Sequence, residues 1–182
     1  MLIYIDLDGV LTDLDGDLAR FGGFQHSDIV KDKDLRRRVW FNLIKKKGLQ
    51  TLYRELMPNR KFEMKALMRE LKQRGHTVEI LSSYGARYTG DYGADVHLGK
   101  RDWLQLHYGD LLSEGVISRF NGVSDCEQKK FYAHPDSLLI DDQEENIAAF
   151  IEAGGQAVRY DLLFHEASIE KVLNFLTSRM TP

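Results

Sequence analysis

The chain opens on an apolar run, Leu2 to Leu7, broken only by Asp6 near its far end, and runs of this kind read as buried parallel strands. Further along, Leu35, Val39, Leu43 and Ile44 recur at helical spacing among Arg36, Arg37, Arg38 and Lys45 to Lys47. Gly16, Gly22 and Gly23 punctuate the stretch before them, so residues 14–60 read as a helical insertion. Phe62 to Arg74 predicts a helix that turns Ala66, Leu67 and Leu71 toward a core and stops at Gly75. Thr77 to Leu81, Ser137 to Ile140 and Ala157 to Tyr160 read as further strands. Asn146 to Ala153 reads as a helix closed by Gly154 and Gly155, and Ile169, Val172, Leu173 and Leu176 mark a final amphipathic helix. In the middle, Lys100 to His107 predicts a short helix built on Trp103, Leu104 and Leu106, while Val116 and Ile117 could seed a short strand.

Strands alternating with helices predict an α/β fold, a mostly parallel sheet with helices on both faces, and such sheets bind ligands at the carboxyl ends of their strands. At 182 residues, 43% hydrophobic and 29% charged, the chain can bury one sizeable core and a small appended lobe. With 25 Lys and Arg against 28 Asp and Glu, the formal net charge of -3 excludes a globally basic surface for coating nucleic acid, though not a local basic patch. The single cysteine, Cys126, rules out an internal disulfide and a thiolate-rich zinc site, and makes a reducing compartment, the cytoplasm, the expectation. The first apolar run ends at Asp6 and Asp8, too soon for a signal-peptide core or a membrane span.

Candidate chemistry gathers where strands end. In Asp6-Leu7-Asp8-Gly9-Val10, two carboxylates one residue apart would share a face if the extended geometry held, and Gly9 lets the chain turn. Such acids repel unless a cation or a shared proton intervenes, and oxygen-only ligands favour a hard ion such as magnesium. An isolated motif of this kind is equally a solvated acidic turn. Asp141 and Asp142 repeat the design directly after Leu138-Leu139-Ile140, although alone they could be helix N-terminal acids. Together the two sites would bring three or four carboxylates to one sheet edge, a concentration that is costly without a cation. Between them, the strand through Leu81 ends in Ser82-Ser83-Tyr84-Gly85, whose hydroxyls and N–H groups could hold an anionic oxygen. Lys129 and Lys130 precede the Asp141 strand, and either could offset phosphoryl charge.

In this order, the four elements resemble those of the haloacid dehalogenase superfamily of phosphotransferases: Asp6 to Val10, Leu81-Ser82, Lys129 or Lys130, and Ile140-Asp141-Asp142. The resemblance runs from Met1 to about Tyr160. It implies a three-layer Rossmann-like core formed by residues 1–13 and 61–182, with residues 14–60 as a small helical cap after the first strand. Within the superfamily the cap, Trp40, Met57-Pro58 and Leu81-Ser82-Ser83 look most similar to the 5'-deoxyribonucleotidase group.

By this resemblance, Asp6 is the nucleophile that forms an aspartyl-phosphate, and Asp8 is the acid and base. Magnesium is held by Asp6, Asp8 through its backbone carbonyl, and one or both of Asp141 and Asp142. Ser82 and Ser83 bind phosphoryl oxygens together with a lysine, Lys129 in preference to Lys130 because of its place in the Gln-Lys-Lys-Phe-Tyr-Ala run. The expected reaction is magnesium-dependent hydrolysis of a small phosphorylated metabolite, most readily a nucleoside or deoxynucleoside 5'-monophosphate. Asp8 argues against halide release, which needs no proton. The alternatives are a phosphatase of nucleic-acid ends and a non-catalytic module that kept the fold and the cation. The six scattered histidines lack ligand spacing. Arg36 to Arg38 and Lys45 to Lys47 read as a solvated face or a steering patch, and Phe21, Phe24, Trp40, Phe41 and Tyr53 as core packing or base stacking.

Overall fold

Alternation within the first strand decides how the layers form. In β1 (Leu2–Ile5), Ile3 and Ile5 point to one face of the sheet and Tyr4 to the other, and each finds its own apolar cluster. The computed structural model describes residues 1–84, 93–112, 121–123 and 126–178. Four short helices follow β1: α1 (Leu14–Gly22), α2 (His26–Lys31), α3 (Lys33–Lys47) and α4 (Leu49–Arg54). Then come α5 (Lys61–Gln73), β2 (Thr77–Ser83), α6 (Gly93–Tyr108), β3 (Asn121–Val123), a 3₁₀ stretch over Cys126–Tyr132, β4 (Ser137–Asp141), α7 (Glu144–Glu152), β5 (Gln156–Arg159) and α8 (His165–Ser178). Among the described residues five strands lie in the order β3-β2-β1-β4-β5, every neighbouring pair parallel. This is the three-layer α/β architecture that strand and helix alternation predicts.

One face of the sheet, through Ile3, Ile5, Val78, Ile80, Leu138 and Ile140, continues without a break into Leu18, Val39, Leu52, Met64, Leu67, Trp103, Val172 and Leu176 of the helices. The opposite face is smaller: Tyr4, Leu81, Leu139 and Val123 meet Phe150 of α7, and the Tyr4 ring makes edge contacts with Tyr132 and Phe150 at 5.6 and 6.4 Å. The helices of residues 14–54 therefore share the main core rather than having a separate one. The chain entering and leaving this stretch is stitched together, for Asn59 N–H donates to the Leu11 carbonyl at 2.7 Å and the Asn59 side chain to that of Val10 at 3.0 Å. Asp17, almost fully buried in α1, accepts from Met57 N–H at 2.6 Å.

Several boundaries and faces differ from the expectation. The middle helix begins at Gly93 rather than Lys100, and its Leu106 is exposed while Trp103 and Leu104 are fully buried. Ala66 also faces solvent, and the core face of α5 is carried by Met64, Leu67, Met68 and Leu71. In both helices an apolar residue lies off the buried stripe and faces solvent. Gly75, at φ 82°, follows α5 in the left-handed conformation that ends helices. The strand expected at Val116 and Ile117 lies outside the described residues. Among the described residues no helix is long and apolar enough to cross a membrane.

Trp103 fastens α6 to the end of the helical stretch, its indole N–H donating to the Leu56 carbonyl at 2.9 Å from a fully buried position. Replacing Trp103 with Phe keeps an aromatic ring but strands that carbonyl, so stability should fall by about 1–3 kcal/mol in denaturant titration. An unchanged midpoint and slope would show that the hydrogen bond contributes nothing.

Candidate active site

The strand register explains why the acids meet. Ile5 is paired with Ile140 in the parallel β1–β4 ladder, so the next residues, Asp6 and Asp141, emerge side by side, and Asp6 N–H donates to the Ile140 carbonyl at 2.9 Å. Asp142 follows immediately, and one carboxylate oxygen from each of Asp6, Asp141 and Asp142 lies within 4.8 Å of the others. Gly9 permits this approach. It sits at φ 82°, and a Cβ there would fall 2.5 Å from the Asp142 carboxylate.

Lys129, buried although it comes from the 3₁₀ stretch, puts its Nζ 2.8 Å from Asp6 Oδ2 and 2.6 Å from Asp141 Oδ2. Lys130 is exposed beside Phe131, so of the two sequence candidates Lys129 is the one at the acids. Burial alone would push the Lys129 ammonium down, but the Asp6 and Asp141 carboxylates outweigh it and raise the pKa above the ordinary lysine value. Asp141 is fully buried and held by Gln143 N–H at 2.8 Å and by the Asn146 amide at 3.0 Å. Burial and the charge of Asp6 push the Asp141 carboxyl upward, against the pull of Lys129. Asp142 goes further, to about 8, through burial and the charges of Asp6 and Asp141. Its Oδ1 is buried with no hydrogen-bond partner among the described residues. One cation against three carboxylates is too little, and the orphaned oxygen and the raised pKa mark a donor set that suits a divalent ion.

Asp8 is separate from this cluster. Its carboxylate turns toward Lys100 of α6, with Nζ 2.6 Å from Oδ2, and Lys100 also donates to Ser82 Oγ at 2.9 Å and the Ser83 carbonyl at 2.5 Å. Ser82 is buried and Ser83 partly so, at the carboxyl end of β2. The fully buried Lys100 is a member of the site that sequence reasoning missed outright. Its signal was present: Val96, Lys100, Trp103, Leu104 and Tyr108 form one helical stripe, with a charge where an apolar residue belongs. Tyr53, counted among packing or stacking aromatics, is also buried there, and burial with the charges of Asp8 and Asp6 raises its hydroxyl well above the usual value. Arg36 is only half-buried. It pairs with Asp15 at 2.5 Å and lies within the fields of Asp8 and Asp142, whereas Arg37 and Arg38 remain exposed.

No family model matches the chain, and no curated protein matches it either. Solved structures do, among them enzymes and hydrolases of the haloacid dehalogenase superfamily and a phosphoserine phosphatase. Phosphoserine phosphatase, captured as a phospho-aspartyl intermediate analogue, is 15% identical over 96% of this chain and 97% of its own, with a TM-score of 0.50. A superfamily enzyme from Bacteroides thetaiotaomicron, in complex with magnesium and inorganic phosphate, is 17% identical over 88% of this chain and 94% of its own, with a TM-score of 0.47. A superfamily hydrolase from Ehrlichia chaffeensis is 16% identical over 99% of this chain and 97% of its own, with a TM-score of 0.47. At this identity the likeness to phosphoserine phosphatase establishes the fold.

The folded Asp142 carboxyl ionises only near pH 8, whereas its ordinary value is 3.8. Its proton is therefore fully stabilising below the ordinary value, and that contribution is lost as pH rises through the folded one. With metal removed by a chelator, thermal stability should fall from weakly acidic pH to about pH 9, and magnesium should raise Tm more at the alkaline end, where no proton competes. Asp142→Asn should flatten the metal-free pH dependence and weaken the magnesium effect. A magnesium effect of equal size in the variant would remove Asp142 from the cation site.

Proposed function

We propose that the protein is a magnesium-dependent phosphomonoester hydrolase that works through an aspartyl-phosphate on Asp6. The observation that carries this reading is the crowding of Asp6, Asp141 and Asp142 at the ends of adjacent strands with Lys129 between two of them. Asp6, Asp141, Asp142 and the backbone carbonyl of Asp8 would hold the ion. Bound there, magnesium supplies charge neutralisation and orientation of the phosphate. Residues 14–60 act as the cap in this reading, around a core of residues 1–13 and 61–182.

Asp6 attacks phosphorus, so an oxygen–phosphorus bond forms to its carboxylate as the bond to the leaving alcohol breaks. Asp8 gives that alkoxide a proton and then takes one from the water that hydrolyses the acyl phosphate. Lys129 has three N–H donors and two carboxylate acceptors among the described residues, which leaves one donor for a phosphoryl oxygen. Ser82 and Ser83 bind the same group from β2.

A nucleoside or deoxynucleoside 5'-monophosphate is the substrate this site suits best. Trp40, half-buried and 5.9 Å from the ring of Tyr53, which itself lies in the field of Asp8, offers a base an aromatic edge, and Arg36 adds a positive charge in the field of Asp8 and Asp142. Tyr53 and Arg36, brought to the acids by the helical stretch, favour a small molecule over a polymer end, and the intact acids favour turnover over binding alone.

Asp6→Asn should lower magnesium-dependent phosphate release from mononucleotides by on the order of 10³-fold or more, without unfolding the chain. Equal release from both proteins would refute the nucleophile. A mononucleotide should be turned over faster than a 5'-phosphorylated oligonucleotide, and the reverse order would transfer the assignment to nucleic-acid ends. No release from any member of a broad phosphate panel would leave the binding module as the correct reading.

A further inference from the structure

Lys100 has no assigned task, yet a fully buried ammonium is tolerated only where anions and acceptors surround it. Its three N–H donors have three acceptors inside the protein: Asp8 Oδ2 at 2.6 Å, Ser82 Oγ at 2.9 Å and the Ser83 carbonyl at 2.5 Å. It is thus saturated, whereas Lys129 has a donor to spare. Being saturated, Lys100 offers nothing to a substrate phosphate while these contacts stand, but it ties the second acid of the first motif to the end of β2. The Tyr53 ring of α4 lies 5.5 Å from Nζ, close under the helical stretch. The Tyr53 hydroxyl also interacts with the Asp8 carboxylate as a hydrogen-bonding group, while the other oxygen of Asp8, Oδ1, is buried with no partner at ordinary hydrogen-bond geometry among the described residues.

We infer that Lys100 is a positioning residue that fixes the rotation of the Asp8 carboxyl by holding Oδ2, so that Oδ1 is the oxygen that exchanges the proton. The inference rests on the phosphatase reading above. In the first step the phosphorus–oxygen bond to the leaving group breaks, a bond from Asp6 to phosphorus forms, and the proton on Asp8 Oδ1 passes to the leaving oxygen. Lys100 exchanges no proton and touches no reacting atom. What it controls is the aim of the group that does.

The leaving group provides the test, since an alkoxide needs a proton as it departs and p-nitrophenolate does not. For Lys100→Met, kcat/KM for an alkyl phosphate should fall by about 10²-fold, within the range of a lost general acid, while kcat/KM for p-nitrophenyl phosphate stays within about fivefold. The wild type is assayed on both substrates first. If it hydrolyses neither, the phosphatase reading fails and this inference goes with it. If it hydrolyses both and the variant loses equally on both, the inference alone fails. Inhibition by inorganic phosphate should be unchanged in the variant, and a tenfold weaker inhibition would overturn the positioning role in favour of direct phosphate binding. Combining Lys100→Met with Asp8→Asn should cost no more on the alkyl phosphate than Asp8→Asn alone, because both changes disable one device. Additive losses would contradict action through Asp8. Should the methionine variant not fold, Lys100→Ala, which removes the N–H donors and leaves room for water, is put through the same comparison with the same criteria.

Discussion

Mutual repulsion among carboxylates that the sheet forces together is the constraint on which this molecule turns. Parallel pairing of Ile5 with Ile140 leaves Asp6 and Asp141 no choice but to emerge as neighbours, and Asp142 follows within one residue. Burial makes their charges more costly, and the single ammonium of Lys129 only partly offsets them. The result is an Asp142 carboxyl whose pKa is pushed up to about 8 and whose Oδ1 has no hydrogen-bond partner among the described residues. Stability has been given up locally where these acids meet, as perturbed carboxyls at a sheet edge show.

Around that cluster two lysines divide the work. Lys129 braces the acids Asp6 and Asp141, and Lys100 joins Asp8 to Ser82 and Ser83. Both are buried, and they reach the sheet edge from different elements, the 3₁₀ stretch before β4 and helix α6. The edge thus carries negative charge in two places: Lys100 pairs one to one with Asp8, whereas Lys129 leaves the three-acid cluster only partly offset. Lys100 also borders Tyr53, so the helices of residues 14–54 come close to Asp8 through a packed aromatic ring.

Much of this was legible in the chain because strand ends are. An apolar run that stops on an acid marks both a buried strand and what lies at its tip, so Asp6, Asp141 and the neighbouring Asp142 could be placed at one edge from residue order. Faces were harder. Ala66 and Leu106 are apolar and exposed, since hydrophobic type alone does not say which side of a helix is buried. Lys100 escaped notice because a lysine ordinarily marks a solvated face, and only the packing of α6 beside β2 turns its position into a buried one. Arg36 belongs to a run of three arginines that reads as a surface, yet Asp15 holds it alone within reach of the acids.

Anomalous diffraction from crystals grown with manganese, which takes the same oxygen ligands as magnesium, tests the central claim most directly. A single strong peak between Asp6, Asp141 and Asp142 is the result this account predicts. Density for the ion at some other place, or none at saturating manganese, would contradict it.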